Sequence, residues 1–459
     1  MNYNKNVVVF TLVSTSILLL YSVYAAVTNT DHLGLNNVSI LSDVLKSPVS
    51  NSDSTVVDSA IVAAPTAKDS VMHPAYAGER SLSMYTSARA ITSFATDTAV
   101  PALPRLMHKL QELKAGKKSR IRIAWLGDSM IEGDLLTQTF RKRMQEYFGG
   151  YGVGFIPATS VTAAFRTTVN HKWTGDWREQ TFKDKELSAP LFFSGHVFFT
   201  GNGSVQLTDR TVKDSTQPLE KVLVCGHLAS DVAVTVNGRS LTFKAPLSIN
   251  RIPLDNSVSH SISVAVQSDQ LPVYGISLEP QSGIVVDNFS FRGITGLELA
   301  KFDSTFLHTL DKDEPYDLVV LEYGANLLFR PNDVDYSWYY KHIVPVLQYL
   351  QRSMPHAEFL IISTADRAFR YDDVWKTAIG IDNLVKTQAE LAFTNQAAFY
   401  NMYASMGGQG TVVRWADSTP SLANKDYIHP NLRGAEILGN MLFDAFMHDM
   451  DKAARTQHF

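Results

Sequence analysis

The chain has 459 residues, a net charge of −4 and one cysteine, Cys225. That length supports two or three domains with proper cores, and a near-balanced charge without a long basic block argues against a nucleic-acid partner. A single thiol excludes an internal disulfide and any thiolate metal cluster.

Residues Asn6 to Thr28 are apolar, follow Lys5 and carry no charge before Asp31. With Val23-Tyr24-Ala25 as a small-residue cleavage pattern, residues 1–28 read as a signal peptide, or as an uncleaved membrane anchor over 6–28. The expected location is therefore outside the cytoplasm, in the periplasm or cell envelope. Residues 29–100 are rich in Ser, Thr, Ala and Val without sustained periodicity and read as a low-order segment.

From Pro101 the pattern becomes regular. Leu103 to Leu113 predicts an amphipathic helix, and Ile121 to Leu126 a buried strand ending at Gly127-Asp128-Ser129. Leu136, Phe140, Met144 and Phe148 then mark one face of a helix. A strand, a sharp turn and a helix start would place the Ser129 hydroxyl at the carboxyl end of a sheet, beside free backbone N–H groups. Gly149 to Gly154 is glycine-rich like a phosphate loop, but it follows a helix, so a helix end and turn is expected there.

Between residues 159 and 285 the texture changes. Val232, Val234 and Val236 alternate up to Asn237-Gly238, Ile262, Val264 and Val266 alternate again, and Val273 to Leu278 is another strand. Short strands with turn residues between them predict an inserted all-β sandwich. After residue 286 the α/β pattern returns. Leu318 to Tyr323 is a strand ending in Gly324-Ala325-Asn326, Asp335 to Arg352 a helix with Pro345 inside it, and Phe359 to Ile362 a strand. Ile381 to Phe393 reads as a helix and Ala398 to Met402 as a strand. This alternation means a parallel sheet covered on both faces, split into segments 101–158 and 286–459 by the insertion.

Near the C-terminus, Asp426 and His429 stand three apart before Pro430, which suits the first turn of a final helix with Leu432, Ala435, Leu438, Leu442 and Phe446 as its buried face. A carboxylate bonded to one imidazole nitrogen leaves the other free to act as a base. With Ser129 they make a hydroxyl nucleophile, its base and an orienting acid. Candidate oxyanion donors are the Ser129 N–H, a glycine N–H in the turn from Gly293 to Gly296, and the Asn326 amide. Asp128 reads as a turn-holding residue. No His-Glu-x-x-His spacing or other metal motif is present, so neither a metal nor another cofactor is expected.

These blocks resemble those of the SGNH (GDSL-type) hydrolases. The residues are Gly127-Asp128-Ser129, the Gly293/Gly296 turn, Gly324-Ala325-Asn326 and Asp426-Tyr427-Ile428-His429-Pro430. The resemblance spans roughly residues 105–157 and 286–450. It implies a flavodoxin-like three-layer α/β/α fold and ester hydrolysis, with Ser129 as nucleophile, His429 as base and Asp426 as third triad member. Asn326 and Gly296, the latter preferred to Gly293, would join the Ser129 N–H in the oxyanion hole. The split by a β-module, the run from Gly149 to Phe155, and Met406-Gly407-Gly408-Gln409-Gly410-Thr411 with Trp415 are further similar to exported bacterial peptidoglycan O-acetylesterases. In that group the inserted module resembles a family 35 carbohydrate-binding fold. Leu327-Leu328 departs from the group where an acidic residue is expected. The implied partner is an acetylated polysaccharide, peptidoglycan first. The rival readings are a glycan O-acetyltransferase with the same triad, an acetylxylan-type esterase, and a non-catalytic glycan-binding protein.

Overall fold

The computed structural model describes residues 82–95 and 97–456. The expected signal or anchor, and the low-order segment up to residue 81, lie outside them. Among the described residues no helix is long and apolar enough to cross a membrane.

Five strands form a wholly parallel sheet: β1 (Arg120–Gly127), β2 (Gly283–Ser290), β3 (Leu318–Glu322), β4 (Glu358–Ile362) and β5 (Ala398–Tyr400). Their order is β2-β1-β3-β4-β5. Alternation along β1 assigns its side chains to two layers. Ile121, Ile123 and Trp125 join one buried cluster, and Ala124 and Leu126 the other. Helices α1 (Pro104–Lys114), α2 (Leu135–Phe148) and α6 (Leu432–Thr456) supply the first cluster. Helices α3 (Ser304–Asp313), α4 (Ser337–Ser353) and α5 (Ile381–Thr394) supply the second. This is the expected three-layer α/β/α arrangement. Because the chain moves from β1 outward to β2 and then back across to β3, the carboxyl ends of β1 and β3 flank the topological switch point, where such sheets open a crevice.

Several local expectations change. The strand expected over 398–402 ends at Tyr400, because Asn401 caps the short helix Met402–Met406 by accepting from the Ala404 N–H at 2.9 Å. Pro430 does not open the last helix. It sits in a bridge with Ala423, and Asn431 caps instead, its Oδ1 accepting from Arg433 and Gly434. Leu432 is consequently 49% exposed, while Ala435, Leu438, Leu442 and Phe446 are buried as expected. Order begins before Pro101, since Ile91 and Phe94 are buried and Thr92 exchanges backbone hydrogen bonds with Phe399, covering the free edge of β5.

The intervening chain forms an antiparallel nine-stranded sheet. Its spine is the long strand Ser261–Glu279. The first half of that strand pairs with His196–Asp209 and Leu228–Val236, the second with Glu220–Cys225 and Gly154–Pro157. Register breaks between Val266 and Val273 separate the halves. The sequence predicts a two-sheet sandwich, whereas the strands here pair as one continuous sheet. Val264 and Val266 from one half nevertheless share a buried cluster with Ile276 and Leu278 from the other. The glycine-rich run after α2 is a packing device. At Gly150 (φ +112°) a Cβ would lie 2.6 Å from the Ile284 nitrogen, so the chain leaves α2 pressed against β2.

The two sheets share one interior. Phe289 of β2 lies within ring contact of Phe155, Phe192 and Phe193 from the antiparallel part, at centroid distances of 5.4, 5.3 and 5.5 Å. Beside it, buried Arg122 bonds Glu279 at 2.7 Å and Asp287 at 3.3 Å, and the Tyr316 hydroxyl donates to Asp287 at 2.7 Å. Burial pushes the Glu279 carboxyl up, but Arg122 and Arg251 outweigh it and hold the group well below its ordinary range. Phe289→Ala should cost about 3–5 kcal/mol of stability by equilibrium denaturation. A loss below about 1 kcal/mol would contradict this shared core.

Candidate active site

Ser129 follows β1 directly, and the turn that carries it differs from the expected helix start. Residues Ser129–Asp134 make a short 3₁₀ stretch broken by extended Glu132 and left-handed Gly133 and Asp134, so α2 begins only at Leu135. The left-handed Asp134 is locked by charge. Its carboxylate takes two 2.8 Å bonds from Arg141, with Thr168 and Arg166 alongside, and these partners hold its pKa far down despite burial. Asp128 caps the turn, its Oδ1 accepting the Met130 N–H at 2.9 Å. As the first residue of the turn, Ser129 has a backbone N–H with no preceding helical carbonyl to bond.

The loop before α6 brings its two residues to this hydroxyl. Ser129 Oγ lies 2.8 Å from His429 Nε2, and His429 Nδ1 lies 2.7 Å from Asp426 Oδ2. The other carboxylate oxygen, Oδ1, accepts the N–H groups of Ile428 and His429 at 2.9 and 3.1 Å. Burial pushes the Asp426 carboxyl up, but the His429 ring and these two amides hold it at about 2. It is therefore ionised at neutral pH. A carboxylate on Nδ1 fixes that nitrogen as the donor and leaves Nε2 to accept the serine proton. His429 is 27% and Asp426 42% exposed, so the site opens to solvent.

Asn326 follows β3 across the switch point. Its Nδ2 donates to Asp128 Oδ2 at 3.0 Å and to the Ile294 carbonyl at 2.9 Å. That joins three turns, after β1, β2 and β3, at one edge of the sheet. It also means that both Asn326 N–H groups are engaged within the protein, so an oxyanion must share one of them. Gly296 (φ +93°) precedes the short 3₁₀ stretch Leu297–Lys301, and a Cβ there would lie 2.9 Å from the Tyr323 ring, one residue from Gly324. Gly293 is left-handed too, but a Cβ there would meet nothing within 4 Å. The structure thus brings Ser129, His429, Asp426 and Asn326 together, with Gly296 the more closely packed of the two glycines. Among the described residues no group of His, Cys, Asp and Glu side chains is arranged to hold a metal.

Sequence reading missed three features. Glu322, at the end of β3, is a second buried carboxyl. Burial and the nearby Asp128 charge push it up to about 8, while its Oε2 accepts the Trp125 indole N–H at 2.9 Å. Arg367 donates to the Ala325 carbonyl beside Asn326, and its Nε–H is buried without an acceptor. Burial lowers its pKa, with Asp426 and Asp128 opposing. The third is a hairpin, Ala368–Tyr371 with Val374–Thr377, whose turn residues Asp372 and Asp373 are left-handed. Aromatic residues on both sides of an Asp-Asp pair were the available signal, weaker than Asn-Gly.

No family model and no curated protein matches the chain. Among solved structures, a peptidoglycan O-acetylesterase superposes with a TM-score of 0.65 at 24% identity, covering 77% of this chain and 98% of that one. The chain has the SGNH-hydrolase fold. Two other structures superpose too loosely to bear on it. A family two carbohydrate esterase from Clostridium thermocellum has a TM-score of 0.28 at 9% identity, covering 60% of this chain and 98% of that one. A lipase/acylhydrolase from Enterococcus faecalis has a TM-score of 0.25 at 19% identity, covering 35% and 75%.

Burial pushes the Asp128 carboxyl up to about 6, against the Met130 amide, His429, the Gly324 amide and Asn326. A raised acid pKa means the folded protein holds the proton longer than the unfolded chain, so this group lowers stability as pH rises through about 6. Asp128→Asn should flatten the fall in stability between about pH 4 and 6, read from denaturant midpoints. An unchanged slope would place the titration elsewhere.

Proposed function

We propose that the protein is an exported serine esterase that removes O-acetyl groups from a cell-wall polysaccharide, with peptidoglycan as the favoured substrate. The observation that carries this is the unbroken line of hydrogen bonds from Ser129 Oγ through His429 to Asp426 at the sheet's switch point. Fold likeness to a peptidoglycan O-acetylesterase supports the choice of polymer.

In this reading His429 Nε2 takes the Ser129 proton as Oγ bonds to the acetyl carbonyl carbon. The carbonyl electron pair moves onto oxygen, which the Ser129 and Gly296 N–H groups and Asn326 hold. Asn326 shares an N–H that the Ile294 carbonyl accepts in the free protein. The tetrahedral centre collapses, the sugar oxygen leaves with the proton from His429, and an acetyl-serine remains. Water deprotonated by His429 then attacks that ester, releasing acetate and restoring Ser129. Asp426, ionised throughout, orients the ring and stabilises the imidazolium.

Ser129→Ala should reduce acetate release from O-acetylated peptidoglycan, and turnover of a chromogenic acetate ester, by about three orders of magnitude or more. Near-normal rates in a folded variant would reject the assignment. Removing the Asn326 donor with Asn326→Ala should lower kcat by about 10²–10³ while the KM for the small ester changes far less. A pure KM effect would instead make Asn326 a binding group.

A further inference from the structure

The hairpin at residues 368–377 takes no part in the acyl chemistry above, yet it is fastened to the loop that carries Asp426 and His429. The Ala368 N–H donates to the Tyr427 carbonyl at 3.0 Å. The Trp375 ring stacks on the Tyr427 ring, with centroids 4.3 Å apart and planes at 22°. Tyr427 is itself fixed. Its hydroxyl donates to Asp417 at 3.2 Å, and its φ of +57° is a conformation a tyrosine adopts only under such constraint. One face of the indole is thus backed by a rigid ring, while Trp375 remains 38% exposed and its neighbour Val374 54% exposed.

Where the hairpin begins, Arg367 donates to the carbonyl of Ala325, next to Asn326, which ties that end of the hairpin to the turn after β3. A pyranose offers the match for such a ring, an apolar C–H face that stacks on an aromatic plane. The hairpin is thus fastened both to the turn that carries Asn326 and to the loop that carries Asp426 and His429, so a sugar stacked on it would belong to the same glycan chain as the esterified residue.

We propose that Trp375, backed by Tyr427, is a stacking platform for a sugar ring of the glycan substrate. The platform makes the site selective for esters on a glycan chain over small acetate esters. This rests on the esterase reading above.

The test compares Trp375→Ala and Trp375→Phe with the parent protein on O-acetylated peptidoglycan and on a small chromogenic acetate ester. Trp375→Ala should raise KM for the polymer about tenfold more than it changes kcat/KM for the small ester, and Trp375→Phe should recover most of the loss. Equal losses on both substrates would overturn the proposal, because Trp375 would then only prop Tyr427 and the triad. So would an unaltered polymer KM. Binding is read separately, by co-sedimentation of the polymer with the Ser129→Ala protein and with Ser129→Ala/Trp375→Ala. Weaker sedimentation of the double variant supports the platform even if the parent turns over no ester, and equal sedimentation rejects it.

Discussion

The site depends on a carboxylate that never meets the substrate. Asp128 is fully buried, and its two oxygens take a backbone N–H from the Ser129 turn and the side-chain amide of Asn326. Those partners follow β1 and β3, the strands on either side of the switch point. A single side chain therefore sets the distance between the proposed nucleophile and the proposed oxyanion donor. Burial works against its charge, and that charge in turn disfavours ionisation of a second buried carboxyl, Glu322. Glu322 yields by keeping its proton, which leaves Asp128 as the acceptor at neutral pH.

The triad side of the site is built on the opposite principle. Asp426 is held ionised by short local bonds to residues two and three positions on, and nearly half of its side chain faces solvent. All the bonds to Asp426 come from Ile428 and His429, within three residues of it. The buried half of the site is joined across the sheet, whereas the carboxylate of the exposed half is held by its own turn.

That contrast explains what was legible in the sequence. Asp426 and His429 were readable because their relation is local. Ser129 and Asn326 were readable because each ends an apolar run that can only be a buried parallel strand. The 3₁₀ turn after Ser129 was not, since the left-handed Asp134 is imposed partly by Arg166 and Thr168, which arrive from beyond the glycine-rich run. Leu432 was misplaced by its apolar character, because a helix is begun by its cap, Asn431, and not by its first leucine. The continuity of the nine-stranded sheet was hidden for a related reason. The register breaks that let one strand serve two sets of partners leave no mark in an alternating pattern.

The parallel sheet also dictates an order of assembly. Its strand β1 emerges early in the chain, but its register partners, Gly283 onward on one side and Leu318 onward on the other, lie beyond the whole antiparallel insertion. Until those segments exist, the apolar strand that leads to Ser129 has two open edges. Closing so large a loop is slow for topological reasons. The aromatic and ionic junction at Phe289 and Arg122 shortens that loop, since a folded insertion returns Gly283 to the Ser119 carbonyl and Ile284 to Gly149. The folded insertion thus holds the start of β2 beside the start of β1, at the register the two strands keep along their length.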